Sequence, residues 1–515
     1  MGVLYVNDSR GAWARRAVLA AVLAIPGAAA IAQTLNDPIQ RMIGGVKLGP
    51  EARVGVCVID TRTGSVLASI RAGEAFTPAS NQKLLSSGAA MFVLGPDFVF
   101  TTELVKDGDD LVVVGAGDPA LADPDVLDKL EPRLTVDDLL GVLGDSVAKA
   151  GMKKVARLLV DDRVFDRELI HPSWPVKQLG DWYCAEVSGL NFHTNVLSVF
   201  PRPSPDGPGK RPTFTAQPSA AWLSVENHAV TSAEGHNAIS LVRISDDNRF
   251  RMSGEVRSAV QVAVETTVHD PSLFFGQVLA DRIERAGIPV GDGPHAGAPN
   301  PAVSLLGADA KVRRERVLAR ITTPLPDVLR RCNRDSHNLY AEALIKRIAH
   351  ETTKEPGSWA GGGAVIRMLL SQKIDPEAAS TTVIADGSGM SRDNSVSPRT
   401  LARWLAAIST ESPAIADTFI DSLAKPGEGT LRERFQSPRP KNLVRGKSGY
   451  IKGVRSLSGY LTTPDGSRRV AYSILINGVR EDAGAAAKRL HEDIVLEIDR
   501  WLTRQNTPAR PNLGG

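Results

Sequence analysis

The chain has 515 residues, 42% of them hydrophobic and 23% charged, an ordinary globular balance with length for roughly two to four domains. A formal net charge of +3 is near neutral for this size, and only 5% of residues are aromatic; both argue against a dedicated nucleic-acid binder. Cys57, Cys184 and Cys332 lie far apart, with no C-x-x-C and no histidine at zinc spacing. They read as buried side chains with at most one disulfide, and nothing in the sequence calls for a metal or a cofactor.

Arg15 and Arg16 precede the apolar stretch AVLAAVLAIPGAAAIA, and Ala30-Ile31-Ala32 fits a small-residue cleavage site. The stretch is short for a bilayer span and contains Pro26, which favours cleavage over retention as an anchor. Residues 1–32 are therefore expected to be a signal peptide. The mature protein would be secreted or periplasmic, with at most weak membrane association.

Residues 54–70 read VGVCVID, TRTG, SVLASI, which predicts a β-hairpin. Thr77 and Pro78 then open an apolar, small-residue segment that ends near Gly95-Pro96 and lacks a polar face, as in a buried helix. The middle mixes strand-like LVVVGAG, VARLLVDD, HNAISLVRI and SAVQVAVET with the amphipathic helix VDDLLGVLGDSVAKAG and a Pro-rich loop over 201–212. From about residue 320 the texture turns helical, in PDVLRRCNRDSHNLYAEALIKRIAHE and SPRTLARWLAAIS. A hairpin turning at Pro464-Asp465-Gly466 and a C-terminal helix follow. The expected fold class is α/β (α+β). One domain is built from residues 33–105 and 305–505, residues 106–304 form one or two inserted β-rich subdomains, and the tail 506–515 is disordered.

Several motifs fail on context. VVVGAGDPA fits G-x-G-x-x-A, but Pro119 and Pro124 interrupt the segment where a phosphate-cradling helix would start. His491-Glu492 lacks the second histidine of a zinc motif.

A serine hydroxyl needs a base, and a lysine one helical turn later shares its face. Three pairs have that spacing: Ser80/Lys83, Ser146/Lys149 and Ser422/Lys425. Ser146 lies on a wet helix beside Lys153 and Lys154, and Ser422 sits just before Pro426 and Gly427. Only Ser80 opens an apolar helix, where burial can depress a lysine far enough to act as a base. Ser336-His337-Asn338 supplies S-x-N and Lys447-Ser448-Gly449 supplies K-[ST]-G. Each occurs once, in the order that the three-part acyl-enzyme signature requires. In this reading Ser336 relays a proton to the leaving amine, Asn338 holds a substrate amide, and Lys447 adds positive charge. Gly449 leaves room along a strand edge, and the N–H groups of Ser80 and Tyr450 form the oxyanion hole.

At this point the chain resembles the D-alanyl-D-alanine carboxypeptidases of the penicillin-binding protein 4 type. TPASNQKLL, GAGDPAL, Asp161 with Phe165 in VDDRVF, CNRDSHNLYAEAL, DGSGMSRDNSVSP, GEGTLRERF and GKSGYIKGVRSLSGY carry the resemblance. So does the long interval between Ser80 and Ser336, which is much shorter in β-lactamases. The resemblance implies a β-lactamase/transpeptidase-like catalytic domain that hydrolyses peptidoglycan stem peptides through an acyl-enzyme. It also implies endopeptidase cleavage of crosslinks and trapping by β-lactams. It makes Arg392 and Asp161 candidates for binding the stem peptide. Two positions depart from the pattern: Tyr450 replaces a small hydroxyl residue, and Lys452 stands where glutamine is common. Tyr450 keeps open a catalytically silent wall-binding protein, and a hydrolase of other D-amino-acid amides or esters, or of β-lactams, also fits.

Overall fold

The structure, a computed structural model, describes residues 35–293 and 297–506. The expected signal peptide and most of the expected tail lie outside the described residues.

The two ends of the chain meet in a five-stranded antiparallel sheet. Its order is Leu443–Ile451, Val454–Thr462, Arg469–Asn477, Arg53–Asp60, Val66–Ile70. The expected hairpins are there, the second turning through Gly466 at φ 73°. Alternation sorts the side chains. Val54, Val56, Val58, Ile474 and Ile476 form one core with the terminal helices Asn36–Gly44 and Gly484–Asn506. Leu475, Ala471 and Tyr460 belong to another with Leu84, Leu85 and Trp404. The helix Gln82–Leu94 is buried from Gln82 to Met91. Each large apolar side chain removed from water there contributes about 1.5–3 kcal/mol. Trp404 ties this helix down by donating Nε1–H to the Leu84 carbonyl at 2.9 Å, and Tyr460 donates to the Leu405 carbonyl at 2.7 Å.

The middle of the chain is built around a second five-stranded sheet, order Val303–Leu305, Leu158–Asp161, Asp110–Val114, Val99–Asp107, Arg316–Pro324. Helices Val136–Lys149 and Pro271–Arg285 share its core. The expected boundaries at 105 and 305 fall inside strands of this sheet, because the chain enters and leaves it through the antiparallel pair Val99–Asp107 and Arg316–Pro324. Of SAVQVAVET only Val264–Thr267 is a strand. GAGDPA forms a loop with no cradle helix behind it.

The helical run after residue 320 is not continuous. It divides into Leu325–Asn333 and Asn338–Thr353, and between them Ser336 adopts φ 64°. A non-glycine residue in the left-handed region breaks the helix and turns the Ser336 hydroxyl out of the helical path.

All three thiols are free and buried, and burial pushes each up to about 12. A disulfide-exchange reagent is expected to titrate almost none of them in the native protein and all three in denaturant. Rapid reaction of a native thiol would contradict this packing.

Candidate active site

Ser80 sits in the tight turn Ala79–Asn81 that runs directly into Gln82–Leu94, one turn before Lys83. Ala79 just ahead of it adopts φ 48°, and this left-handed kink presents the hydroxyl at the helix mouth. Nζ of Lys83 lies 3.0 Å from Oγ of Ser80, 2.7 Å from Oδ1 of Asn338 and 3.0 Å from the Ser388 carbonyl. The amine is wholly buried, and desolvation pushes it well below the usual lysine range, partly offset by Glu342 and Asp386 nearby.

Lys447 approaches from the other side. Its Nζ donates to Oγ of Ser336 at 2.8 Å and to the Ser448 carbonyl at 2.7 Å. Desolvation, helped by the Lys83 charge, pushes it down as well. The edge strand Leu443–Ile451 is clamped to the nucleophile turn. Asn81 donates Nδ2–H to the Lys447 carbonyl at 2.7 Å, while Ser458 donates to Oδ1 of Asn81 at 2.6 Å.

Strand parity completes the anion site. The Gly446 N–H uses the open edge, donating to the Ala424 carbonyl at 2.8 Å, so the Tyr450 N–H two steps of the pleat later points to the same open side. A Cβ on Gly449 would stand 2.8 Å from the Ser80 nitrogen and 2.2 Å from Oγ of Ser456, so only glycine lets the strand lie this close. Ser80 and Tyr450 both line one cleft of about 600 Å³, together with Ser336, Asn338, Arg392 and Lys452. Oxyanion stabilisation needs donors placed in one such cleft.

The structure therefore brings together Ser80, Lys83, Ser336, Asn338, Lys447, Gly449, Tyr450 and Arg392. Arg392 is on the rim, donating to the Lys452 carbonyl at 2.8 Å. Ser448 supplies its carbonyl to Lys447 and does not line the cleft. Asn338 is engaged at both ends, since its Nδ2 donates to the Tyr183 carbonyl at 2.8 Å; it fixes the base first of all. Asp161 does not join the site. Arg163 holds its carboxylate bidentately at 2.7 and 2.8 Å and reaches on to the carbonyls of Ala308 and Ala310, so Asp161 staples loops of the inserted sheet. Its partner Phe165 is core. Among the other lysine pairs, Ser146 donates to the Leu143 carbonyl and Ser422 to the Phe419 carbonyl, while Lys425 pairs with Glu428.

Sequence reasoning missed the wall that the insertion provides. Pro175, Gln178, Trp182 and Tyr183 line the cleft, and the Trp182 ring stands 5.4 Å from that of His337. It also missed the Ser388 carbonyl, although DGSGMSRDN was visible as a segment. Tyr450 is 64% exposed, with the Arg455 guanidinium 3.8 Å from its ring centroid, so its side chain rises from the cleft edge and leaves the anion site open. No group of three His, Cys, Asp or Glu among the described residues could hold a metal ion.

A serine hydroxyl 3.0 Å from a buried amine and a second serine–lysine pair beside it are the kind of groups that acyl transfer uses. The D-Ala-D-Ala carboxypeptidase 3 (S13) family matches residues 39–503. The chain belongs to that family. It is 31% identical to a D-alanyl-D-alanine carboxypeptidase of Actinomadura sp. (strain R39), over 88% of this chain and 82% of that one. It is 24% identical to D-alanyl-D-alanine carboxypeptidase DacB of Haemophilus influenzae, covering 84% and 87%. The crystal structure of penicillin binding protein 4 from Haemophilus influenzae shares its fold, with a TM-score of 0.69 and 22% identity, covering 91% of this chain and 98% of that one. The enzyme is a serine-type D-Ala-D-Ala carboxypeptidase.

Proposed function

We propose that this S13 peptidase hydrolyses the D-Ala-D-Ala ends of peptidoglycan stem peptides through an acyl-enzyme on Ser80, in a compartment outside the cytoplasm. The observation that carries the residue roles is the 3.0 Å approach of the buried Lys83 amine to Oγ of Ser80. Neutral Lys83 takes the hydroxyl proton as Ser80 attacks the carbonyl carbon. The amides of Ser80 and Tyr450 receive the oxyanion. The proton on Lys83 then travels through the Ser336 hydroxyl, held by Lys447, to the departing D-alanine amine. Lys83 is neutral again, and water attacks the acyl carbonyl, returning a proton to Oγ of Ser80 as the acid is released. Among the described residues no helix is long and apolar enough to cross a membrane. The apolar leader before residue 33 supports export.

A β-lactam presents a strained amide to the same nucleophile, so it forms an acyl-enzyme that lasts if water attacks slowly. Incubation with a fluorescent penicillin is expected to label the mature wild-type protein and not Ser80→Ala. Label that survives Ser80→Ala, or no label on wild type, overturns the assignment. Release of D-alanine from a pentapeptide excludes a silent wall-binding protein. Rapid nitrocefin turnover without a trapped adduct points instead to a β-lactamase. Product analysis on crosslinked fragments reads out endopeptidase action.

A further inference from the structure

Beneath the lysine base lies a buried acidic pair that the mechanism does not use. Glu342 on Asn338–Thr353 and Asp386 in the loop between helices Pro376–Ser380 and Pro398–Ser409 are both fully buried. Two tryptophans, 5.7 Å apart and edge-to-face, serve one acid each. Trp359 donates Nε1–H to Oε2 of Glu342 at 2.7 Å, and Trp174 donates to Oδ2 of Asp386 at 3.0 Å.

The remaining donors come from the loop itself. Glu342 accepts the N–H groups of Gly387 and Ser388, both at 2.8 Å. Asp386 accepts those of Gly389 at 2.8 Å and Ser391 at 2.6 Å, and Nδ2–H of Asn394 at 2.7 Å. Four donors therefore fill the Asp386 acceptor sites, against three on Glu342. The segment so held carries the Ser388 carbonyl that receives Lys83 at 3.0 Å, and the Gly387 carbonyl that receives Ser86 at 2.7 Å.

We propose that Glu342 and Asp386 are positioning residues for the Lys83 base: they aim the Ser388 carbonyl at its amine and keep negative charge within reach of it. This rests on the Ser80 acyl-enzyme reading above. The pair touches neither Ser80 nor the cleft, so its effect runs through Lys83.

The other groups facing this cluster leave the acids as its source of negative charge. Cys332 and Cys184 stay neutral thiols because burial pushes both up to about 12. Burial holds His337 neutral, pushed down to about 3. Lys447 is buried and pushed down, and Lys346 is occupied with Asp166 at 2.6 Å and with the Trp359 ring. Burial and the Asp386 charge push Glu342 up, so its charge is the adjustable one. A negative charge nearby stabilises the Lys83 ammonium and raises the pH at which the base becomes available. Removing that charge moves the acid limb of the rate profile to lower pH.

The test is the pH profile of the second-order acylation rate with a fluorescent penicillin, on the full mature chain, for wild type, Glu342→Gln and Trp359→Phe. Glu342→Gln is expected to shift the acid limb downward by about one pH unit and to lower the plateau about ten-fold or more. Trp359→Phe keeps a ring over Lys346 but withdraws a donor from the carboxylate. It is expected to shift the limb the same way by a smaller amount. A merely structural role lowers the rate equally at every pH. Both limbs staying at the wild-type position would overturn the proposal. If Glu342→Gln does not fold, the limb of Trp359→Phe decides. A wild type that is never labelled overturns the function itself, whereas a labelled wild type with unmoved limbs overturns only the positioning role.

Discussion

Lys83→Ala is expected to slow acylation of Ser80 by about 10²–10⁴-fold, the usual weight of a lost general base. The amine lies 3.0 Å from the hydroxyl and is wholly buried, so water cannot readily substitute for it. The deletion also strands Oδ1 of Asn338 and the Ser388 carbonyl, which costs about 1–3 kcal/mol of stability for each buried acceptor left unpaired. Lys83→Arg separates base from charge. A guanidinium stays protonated, so this variant should be as slow as alanine although its charge is kept. In the proposed mechanism, catalysis needs the neutral amine. Burial lowers the pH at which the proton leaves, so the rate rises as pH climbs through that depressed value and falls again below it. Penicillin-labelling rates from acid to alkaline pH, spanning the Lys83 value of about 8, measure all three. An alanine variant within ten-fold of wild type would remove Lys83 from the mechanism.

Gly389→Ala is the second large expectation, and it lies outside the three motifs. Gly389 adopts φ 86°, and a Cβ there would stand 1.8 Å from the carbonyl oxygen of Ala79 and 3.0 Å from Cβ of Gln82. Neither is the far end of a flexible side chain: one is a backbone oxygen of the turn that carries Ser80, the other the Cβ of the first residue of the helix that follows it. The methyl therefore has to push that turn away, on top of about 1–2 kcal/mol for a left-handed non-glycine residue. A displacement near an ångström at a nucleophile costs on the order of 10²-fold. Acylation should fall by at least that much while most of the stability remains, because the clash lies at one end of a buried helix. Labelling rate and thermal midpoint, measured together, check this. A variant with wild-type acylation would show that the turn is not set by this contact.

What could be read from the sequence follows from how far apart the interacting residues are. Ser80 and Lys83 share one helical turn, and an apolar helix announces itself by composition, so their contact was legible. Ser336 and Lys447 were legible only as ordered motifs, since their contact crosses 111 positions. The Tyr183 carbonyl that holds Asn338 crosses 155 and the Ser388 carbonyl on Lys83 crosses 305. These acceptors are backbone atoms, which no residue type marks, so no pattern could reveal them. Asp161 shows the opposite failure. Its segment matched, but Arg163 two positions on captures the carboxylate locally. The helix break at Ser336 escaped notice because the apolar periodicity on either side carries a helical pattern, although Asn333, Asp335, His337 and Asn338 around the break are weak helix formers.

The paired strands Val99–Asp107 and Arg316–Pro324 bear on how the enzyme comes to be active. Once they zip together, everything between them becomes a closed loop, and Ser80 and Ser336 are joined by a short detour. Closure entropy grows only with the logarithm of loop length, so so long an excursion burdens folding little once its ends have met. Yet Tyr183 and Trp174, both inside that loop, hold Asn338 and Asp386. The surroundings of the Ser80 hydroxyl are therefore complete only when that excursion is folded and docked against the helix that carries Asn338 and the loop that carries Asp386.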